Sequence, residues 1–183
     1  PGIDTLNKAG GLKKFMNWDG FIVSDSGGFQ IMSLLHSKKT KGKITDEGIY
    51  FQWERSGRRE DVFLTPEKSI EMQFVIGADI MICLDDFAKP DATEKELTET
   101  VRKTVLWAAR SKAEFERQCE IRYLEKKNRP LLLAVLEGGD SKRLRKQCAE
   151  QLIEIGFDAY GFGGWPMNRE GKLDEEILSL SAS

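Results

Sequence analysis

The sequence predicts an α/β protein built around a parallel sheet, and two observations support this. Four short apolar runs, at residues 21–24, 79–84, 131–136 and 158–162, have the length and composition of buried strands. Helical patterns follow three of them. Continuous apolar strands that alternate with helices are typical of a parallel sheet covered by helices. Open doubly wound sheets and closed barrels both fit this order of elements.

The first strand, at residues 21–24, leads into a different arrangement. A short apolar stretch at 31–35 is followed by a polar excursion over residues 38–64. Within this excursion, residues 49–53 and 61–64 read as strands on either side of a Ser-Gly turn. They predict an antiparallel hairpin inserted after the first strand.

Three helices have recognisable ends. Thr65 followed by Pro66 predicts a helix start, and Gly77 predicts its end. A longer helical region begins with a capping box at residues 93–96 and runs toward residue 123, either as one helix or with a break near its middle. A further helix is predicted over residues 141–155, where Gly156 follows as a stop signal.

Composition and charge exclude several classes of protein. The formal net charge is only −2 although 32% of the residues are charged, which argues against a basic protein that coats nucleic acid. No apolar run approaches membrane-spanning length. Cys83, Cys119 and Cys148 show neither a disulfide framework nor metal-ligand spacing, so we expect a cytoplasmic setting and no metal site in this chain. The start lacks Met and any signal-peptide pattern, so we expect it to lie inside a larger protein.

Carboxylates and glycines follow the four predicted strands. Asp25 follows the first strand, Asp85 the second and Glu137 the third, and a glycine-rich run at 161–164 ends the fourth. In a parallel β/α fold these strand ends lie on one face, which is where such folds keep their active sites. Each feature alone is also explained by a helix cap or a tight turn. Their coincidence at four strand ends predicts a shared pocket.

Two kinds of site fit these residues. One is a carboxylate-ligated Mg²⁺ site of the kind found in metal-dependent barrel lyases. The other is a pocket whose carboxylates bind a polar ring and perform acid/base chemistry. Phe29 and Gln30 favour the second, because a metal site needs neither an aromatic face nor an amide.

Several motifs together resemble one enzyme family. Residues 24–30, Ser-Asp-Ser-Gly-Gly-Phe-Gln, resemble its Asp-Ser-Gly-Gly-aromatic-Gln signature, and Gly10-Gly11-Leu12 resembles the lead-in to the first catalytic loop. The runs 63–67 and 77–80, the second leading to Asp85, match in order and spacing. From Pro1 to about Gly164 the chain is similar to the tRNA-guanine transglycosylase (queuine tRNA-ribosyltransferase) family.

The resemblance implies a fold and a reaction. The fold is a TIM (β/α)₈ barrel, of which residues 1–183 would supply only part, without the last strands and the zinc subdomain. The reaction is a pentosyl transfer that replaces guanine in tRNA with a 7-deazaguanine derivative, as in queuosine formation. A carboxylate nucleophile displaces guanine from the ribose, and the incoming base loses a proton and attacks in turn. The implied partners are tRNA, the base, and a second subunit in a homodimer or heterodimer.

The resemblance also implies roles by position. Asp25 would be catalytic, as the general acid that protonates the leaving guanine and the base that deprotonates its replacement. Phe29 would stack on the ring, Asp85 would accept hydrogen bonds from the guanine-type N–H edge, and Gly164 would donate its backbone N–H to the base carbonyl. The other substrate-binding residues would shape the pocket: Ser26, Gly27, Gly28, Gln30 and Glu137.

The chain departs from the family at Glu137, where the family usually has Gln. An ionised Glu only accepts hydrogen bonds, whereas Gln can also donate, so we expect an altered base preference toward a ring with a donor or cationic substituent. The family's nucleophilic Asp and its Cys/Cys/Cys/His zinc cluster lie further toward the C-terminus and have no counterpart here. We therefore expect a fragment that is inactive alone, with Zn²⁺ bound in the missing C-terminal part.

Two other functions stay open at this point. One is a transglycosylase that inserts a 7-deazaguanine derivative into DNA. The other is a non-catalytic partner subunit, against which the presence of Asp25 argues. The basic residues near the hairpin, at 38–43 together with Arg55, Arg58 and Arg59, fit either contacts with RNA phosphates or a solvated hairpin.

Overall fold

A computed structural model describes residues 2–37, 40–55, 57–165, 172–173 and 175–182. Seven helices and seven strands are found in these residues. In chain order they are α1 (Ile3–Ala9), α2 (Leu12–Met16), β1 (Val23–Ser24), α3 (Gly28–His36), β2 (Gly42–Ile44), β3 (Ile49–Arg55), β4 (Arg58–Leu64), α4 (Pro66–Ile76), β5 (Ile80–Ile82), α5 (Glu94–Ile121), β6 (Leu131–Leu136), α6 (Lys142–Ile155), β7 (Ala159–Phe162) and α7 (Glu175–Ala182).

The predicted parallel sheet is confirmed. Its strand order is β1-β5-β6-β7, and each neighbouring pair is parallel. The register places Ile82 beside Leu133 and Leu136 beside Phe162. The residues that follow β5, β6 and β7 therefore leave the sheet along the same edge, which positions the predicted site.

A second sheet lies between β1 and β5 in the sequence. It has three antiparallel strands in the order β2-β3-β4, with Ile49 beside Leu64 and Ile44 beside Ile49. Strand β2 was not predicted, because its polar residues carry no apolar alternation. The short helices α1, α2 and α3 were not predicted either, since a glycine without a side-chain cap precedes each of them.

The three helix starts read from the sequence are confirmed by their caps. The Thr65 Oγ1 accepts from the Lys68 N–H at 3.2 Å, and the Ser141 Oγ accepts from the Leu144 N–H at 3.4 Å. A reciprocal capping box joins Thr93 and Glu96. The helix that it starts, α5, runs for 28 residues without the break that the sequence left open.

Helices α4, α5 and α6 cover one face of the parallel sheet. Along β6, Leu132 and Ala134 are buried and alternate with the partly exposed Leu133 and Val135. Leu132 packs in one cluster with Ile70 of α4 and with α5, and Ala134 packs in another with α5 and α6. Within the described residues, no helix is both long and apolar enough to cross a membrane.

Candidate active site

The loop after β1 carries Asp25 at the exposed edge of the sheet. The Asp25 side chain is exposed, and its Oδ1 accepts a hydrogen bond from the Ser26 N–H at 2.7 Å. The Ser26 side chain is buried, and its Oγ accepts from the Gly28 N–H at 3.3 Å. These short-range bonds fix the turn that carries the carboxylate.

A buried chain of hydrogen bonds ties this loop to β5. The Ser69 hydroxyl donates to the Ser26 carbonyl at 3.0 Å, and the Gln73 amide donates to the Ser69 Oγ at 3.3 Å. Gln73 also donates to the Ile82 carbonyl and accepts from the Ile82 N–H, both at 2.9 Å. Helix α4 therefore sets the position of the Asp25 loop relative to the end of β5.

Gly27 and Gly28 are needed for different reasons. Gly27 has φ of +81°, a left-handed conformation that a residue with a side chain adopts only at a cost. A Cβ on Gly28 would lie 2.7 Å from the Leu84 Cδ1, so only glycine allows α3 to start this close to the end of β5. Gln30 lies exposed in the first turn of α3.

Three aromatic rings from three strand ends form a cluster. The Phe29 ring lies 4.8 Å from that of Phe87 and 6.4 Å from that of Trp165, in edge-on arrangements, and the Phe87 and Trp165 centroids are 5.6 Å apart. Phe29 still exposes 42% of its surface. These contacts join the loops that follow β1, β5 and β7.

Asp85 stands at the end of β5 in an unfavourable electrostatic setting. Desolvation, then the negative charge of Asp25, raises the pKa of Asp85 to about 7. A side-chain interaction with Glu137 opposes these effects. The neighbouring Asp86 turns away and forms a buried ion pair with Lys103 at 3.1 Å. Of this acidic pair, Asp85 is the one that faces the other site residues.

Glu137, at the end of β6, is the most buried carboxyl group of the site. Its side chain is 1% exposed, and no hydrogen bond to either oxygen is found within the described residues. Burial, then the charge of Asp85, raises the pKa of Glu137 well above its ordinary value, although Arg145 acts in the opposite direction. A Cβ on Gly163 would lie 2.5 Å from its Oε1, so the glycine makes room for the carboxyl group.

Gly164 lies after β7, at the same edge of the sheet as the other site residues. It has φ of +82°, and a Cβ there would lie 3.4 Å from the Glu137 Oε2 and 3.6 Å from the Arg145 Nη2. Arg145 of α6 is buried and donates to the carbonyls of Leu136, Gly139 and Gly163 at 3.2, 2.7 and 3.1 Å. Its guanidinium group therefore holds together the ends of β6 and β7.

The structure brings most of the sequence-predicted residues into one neighbourhood. Asp25 acts on Asp85, Asp85 acts on Glu137, and Glu137 lies against Gly164. Gln30 is the exception, since its side chain has no hydrogen bond within the described part of the chain. Sequence reasoning missed three residues that position this group: Ser69, Gln73 and Arg145. The one signal that could have found Ser69 and Gln73 is their spacing, which places them on the face of α4 that buries Ile70.

The described residues do not fit a zinc site. No group of three or more His, Cys, Asp or Glu side chains that could hold a metal ion occurs among them. Cys83, Cys119 and Cys148 are free and buried, and they belong to the apolar clusters under the sheet.

Comparison with known proteins gives one consistent result. The family described as Queuine tRNA-ribosyltransferase matches residues 1–182. A queuine tRNA-ribosyltransferase of Methylacidiphilum infernorum is 38% identical over 180 residues, which cover 98% of this chain and 45% of the relative. A queuine tRNA-ribosyltransferase of Thermotoga neapolitana is 37% identical over 181 residues, which cover 99% of this chain and 44% of the relative. The chain thus spans a little under half the length of the curated relatives it matches, and it belongs to the queuine tRNA-ribosyltransferase family.

Proposed function

We propose that this chain is the part of a tRNA-guanine transglycosylase that recognises the base and transfers protons during exchange. The observation that carries the proposal is the convergence of Asp25, Asp85, Glu137 and Gly164 at one edge of the parallel sheet, in a chain of this family. The relatives are named queuine tRNA-ribosyltransferases. The exchange would replace guanine in tRNA with a 7-deazaguanine derivative, which is a pentosyl transfer.

The geometry suits the roles expected from the resemblance. Asp25 is exposed, and its Oδ1 alone accepts a hydrogen bond from the described residues, so its carboxyl group is available to exchange a proton with a bound base. A carboxylate nucleophile, expected from the resemblance, would form a bond to the anomeric carbon as the glycosidic bond breaks, and the electron pair of that bond would leave with guanine, which takes a proton from Asp25. The incoming base would then displace this carboxylate from the ribose and give its ring N–H proton to Asp25. No nucleophile is assigned among the described residues.

The remaining site residues would hold the base. Part of the Phe29 ring is exposed for stacking while Phe87 and Trp165 fix its edge. Asp85 would accept from the N–H edge of the base, and the Gly164 N–H would donate to its carbonyl. Ser26, Gly27, Gly28 and Gln30 would shape the wall formed by the first loop.

We propose further that the parallel sheet is one segment of a (β/α)₈ barrel, into which the antiparallel strands are inserted as a hairpin. Two features support this. The strands are all parallel, and their second face carries partly exposed apolar side chains, among them Ile80, Ile82, Leu133 and Val135. Such side chains suit the packed interior of a barrel. Residues 1–183 would then be a partial catalytic domain.

The outer face of the antiparallel sheet is a candidate RNA contact. Tyr50 and Phe63 stack with centroids 3.8 Å apart, and Lys43 lies 5.2 Å from the Tyr50 ring. Lys41 and Arg59 are exposed nearby, whereas Lys38 and Lys39 lie outside the described residues, as do the side chains of Arg55 and Arg58. If Lys41 and Lys43 contact phosphates, their reversal to Glu weakens tRNA binding and lowers its salt dependence. Unchanged salt dependence would rule the contact out.

The test of the proposed function is exchange of labelled guanine into tRNA by the polypeptide as its gene encodes it. Asp25→Asn should lower the rate by about 10²–10⁴-fold, because the isosteric amide cannot carry the proton. Asp140→Asn, which removes an exposed charge from another strand-end loop, should leave the rate unchanged. Undiminished exchange in the Asp25 variant would refute the role of Asp25. Exchange into DNA but not into tRNA would reassign the polynucleotide.

Three further expectations stay predictions. They are a zinc ion bound outside this chain, a second subunit in a homodimer or heterodimer, and a cytoplasmic setting. Metal analysis and sedimentation of the polypeptide as its gene encodes it test the first two.

A further inference from the structure

The Glu137 carboxyl group is the least satisfied polar group of the strand-end region. It is 1% exposed, and neither of its oxygens makes a hydrogen bond to any described residue. Buried polar atoms almost always have a partner, and leaving one without costs about 1–3 kcal/mol. A carboxyl group kept in this state at a strand end is expected to meet its partner in a ligand.

Charged and titratable groups face Glu137 from each element packed against it. Asp85 and Asp86 follow β5, Arg145 and Cys148 lie on α6, and Asp25 acts on Asp85 from the end of β1. Asp86 is already paired with Lys103, and Arg145 donates to the carbonyls at the ends of β6 and β7. Of these charges, that of Asp85 raises the pKa of Glu137 most, and the positive charge of Arg145 opposes it.

We infer that Asp85 and Glu137 share one proton, and that Glu137 holds it when the base binds and donates it in a hydrogen bond to the ring carbonyl. This inference rests on the proposed function. If it holds, Glu137 does not by itself alter the base preference, because a protonated Glu can donate a hydrogen bond as Gln does.

The chemistry of a guanine-type edge requires this division. That edge presents a carbonyl oxygen, which needs a donor, beside N–H groups, which need acceptors. Two ionised carboxylates would satisfy the N–H groups and repel the carbonyl oxygen. One ionised Asp85 beside one protonated Glu137 satisfies both, and the pocket then carries one negative charge fewer. Burial of Glu137 also favours its neutral form, because removal from water destabilises a charged carboxylate.

The consequence is a base affinity that depends on pH through Glu137. Once the shared proton is lost, each further pH unit should weaken binding of 7-deazaguanine by up to tenfold, because one proton must be taken up for each base bound. Glu137→Gln supplies a permanent N–H donor in the same shape. That variant should bind as tightly as the parent at low pH and keep its affinity as the pH rises.

The experiment is calorimetric titration of 7-deazaguanine into the polypeptide as its gene encodes it, at several pH values. Repeating each titration in two buffers of different ionisation enthalpy measures proton uptake. We expect uptake approaching one proton at high pH in the parent and in Asp140→Asn, and none through this site in Glu137→Gln. The matched control removes a charge from the same loop but leaves Glu137 buried.

The outcomes separate the inference from the proposed function. Binding that is independent of pH in the parent, or a pH dependence that persists in Glu137→Gln, would overturn the shared proton and leave base binding intact. No binding of 7-deazaguanine by any of the three proteins at any pH would overturn both. Asp85→Asn gives a second reading, since it removes the acceptor and should weaken binding at every pH.

Discussion

The two ends of the parallel sheet use the same residue type in opposite ways. Before β5 and β7, Asp79 and Asp158 each accept a hydrogen bond from the neighbouring strand's backbone, from the N–H groups of Ile22 and Leu132 at 2.8 and 2.9 Å. Each also has a cation, Lys13 at 2.8 Å and Arg129 at 2.7 Å. At the other end, no ion pair to Asp85 or Glu137 is found within the described residues, although the charge of Arg145 acts on Glu137.

The pKa values follow this difference. The hydrogen bond from Arg129 lowers the pKa of Asp158. Burial alone would raise the pKa of Asp79, but the bonds from Lys13 and Ile22 more than compensate, and it too is lowered. Burial raises the pKa values of Asp85 and Glu137, and a neighbouring negative charge adds to each shift, that of Asp25 for Asp85 and that of Asp85 for Glu137. One end of the sheet therefore has carboxylates paired with cations, and the other has the carboxyl groups that we propose bind the base.

The largest loss of stability is expected for a substitution of Asp158, at the end of the sheet where the Asp side chains are paired with cations. Asp158→Asn leaves the guanidinium of Arg129 without its bidentate partner and weakens the link between β6 and β7. The free energy of unfolding should fall by about 2 kcal/mol. Urea denaturation measures it, with the exposed Asp91→Asn as control. A loss no larger than in the control would mean that the pair does not stabilise the sheet.

Glu137→Gln should instead raise the free energy of unfolding above that of the parent. The raised pKa means that the parent's stability is highest when Glu137 is protonated and falls as the pH rises above the value of the unfolded chain. The variant lacks this decline and should be more stable than the parent at pH of about 8, by roughly 1–2 kcal/mol. The advantage should shrink toward pH of about 5. An advantage that does not change with pH would contradict a titrating Glu137.

The smallest effect is expected at Lys13, the cation of Asp79. Both partners of this pair are partly exposed, so Lys13→Gln should cost only about 0.5 kcal/mol. The cost should also decrease in high salt, which screens exposed pairs. A loss as large as that of Asp158→Asn would show that exposure to solvent does not weaken the Lys13–Asp79 pair. The expected difference between the two ion pairs would then be absent.

Much of the fold could be predicted because its signals are local. The strands at β5, β6 and β7 are short apolar runs, and the starts of α4, α5 and α6 carry their own capping side chains. Parallel pairing then follows from alternation alone. By contrast, β2 carries no apolar alternation of its own. It is a strand because it pairs with β3, and its own residues do not predict that pairing.

The sequence predicted which strand ends carry the site residues, but not the side chains that hold those residues in place. Asp25 and Glu137 directly follow β1 and β6, and Asp85 lies three residues after the end of β5, so topology alone brings them to one edge. The contacts of Gln73 with Ile82, and of Arg145 with Gly163, join residues 9 and 18 positions apart through side chains that point inward. The burial that raises the pKa of Glu137 depends on packing from β7 and α6. No single segment of the sequence carries that information.

The most direct test of the contrast between the two ends is a titration of labelled carboxyl carbons by NMR, assigned with Asp85→Asn and Glu137→Gln. The account predicts that Asp85 titrates at about 7 and that Glu137 titrates well above its ordinary value of 4.5. Asp79 and Asp158 should titrate below 3.8. If Asp85 and Glu137 instead lose their protons at or below the ordinary values, the two ends do not differ and the account is wrong.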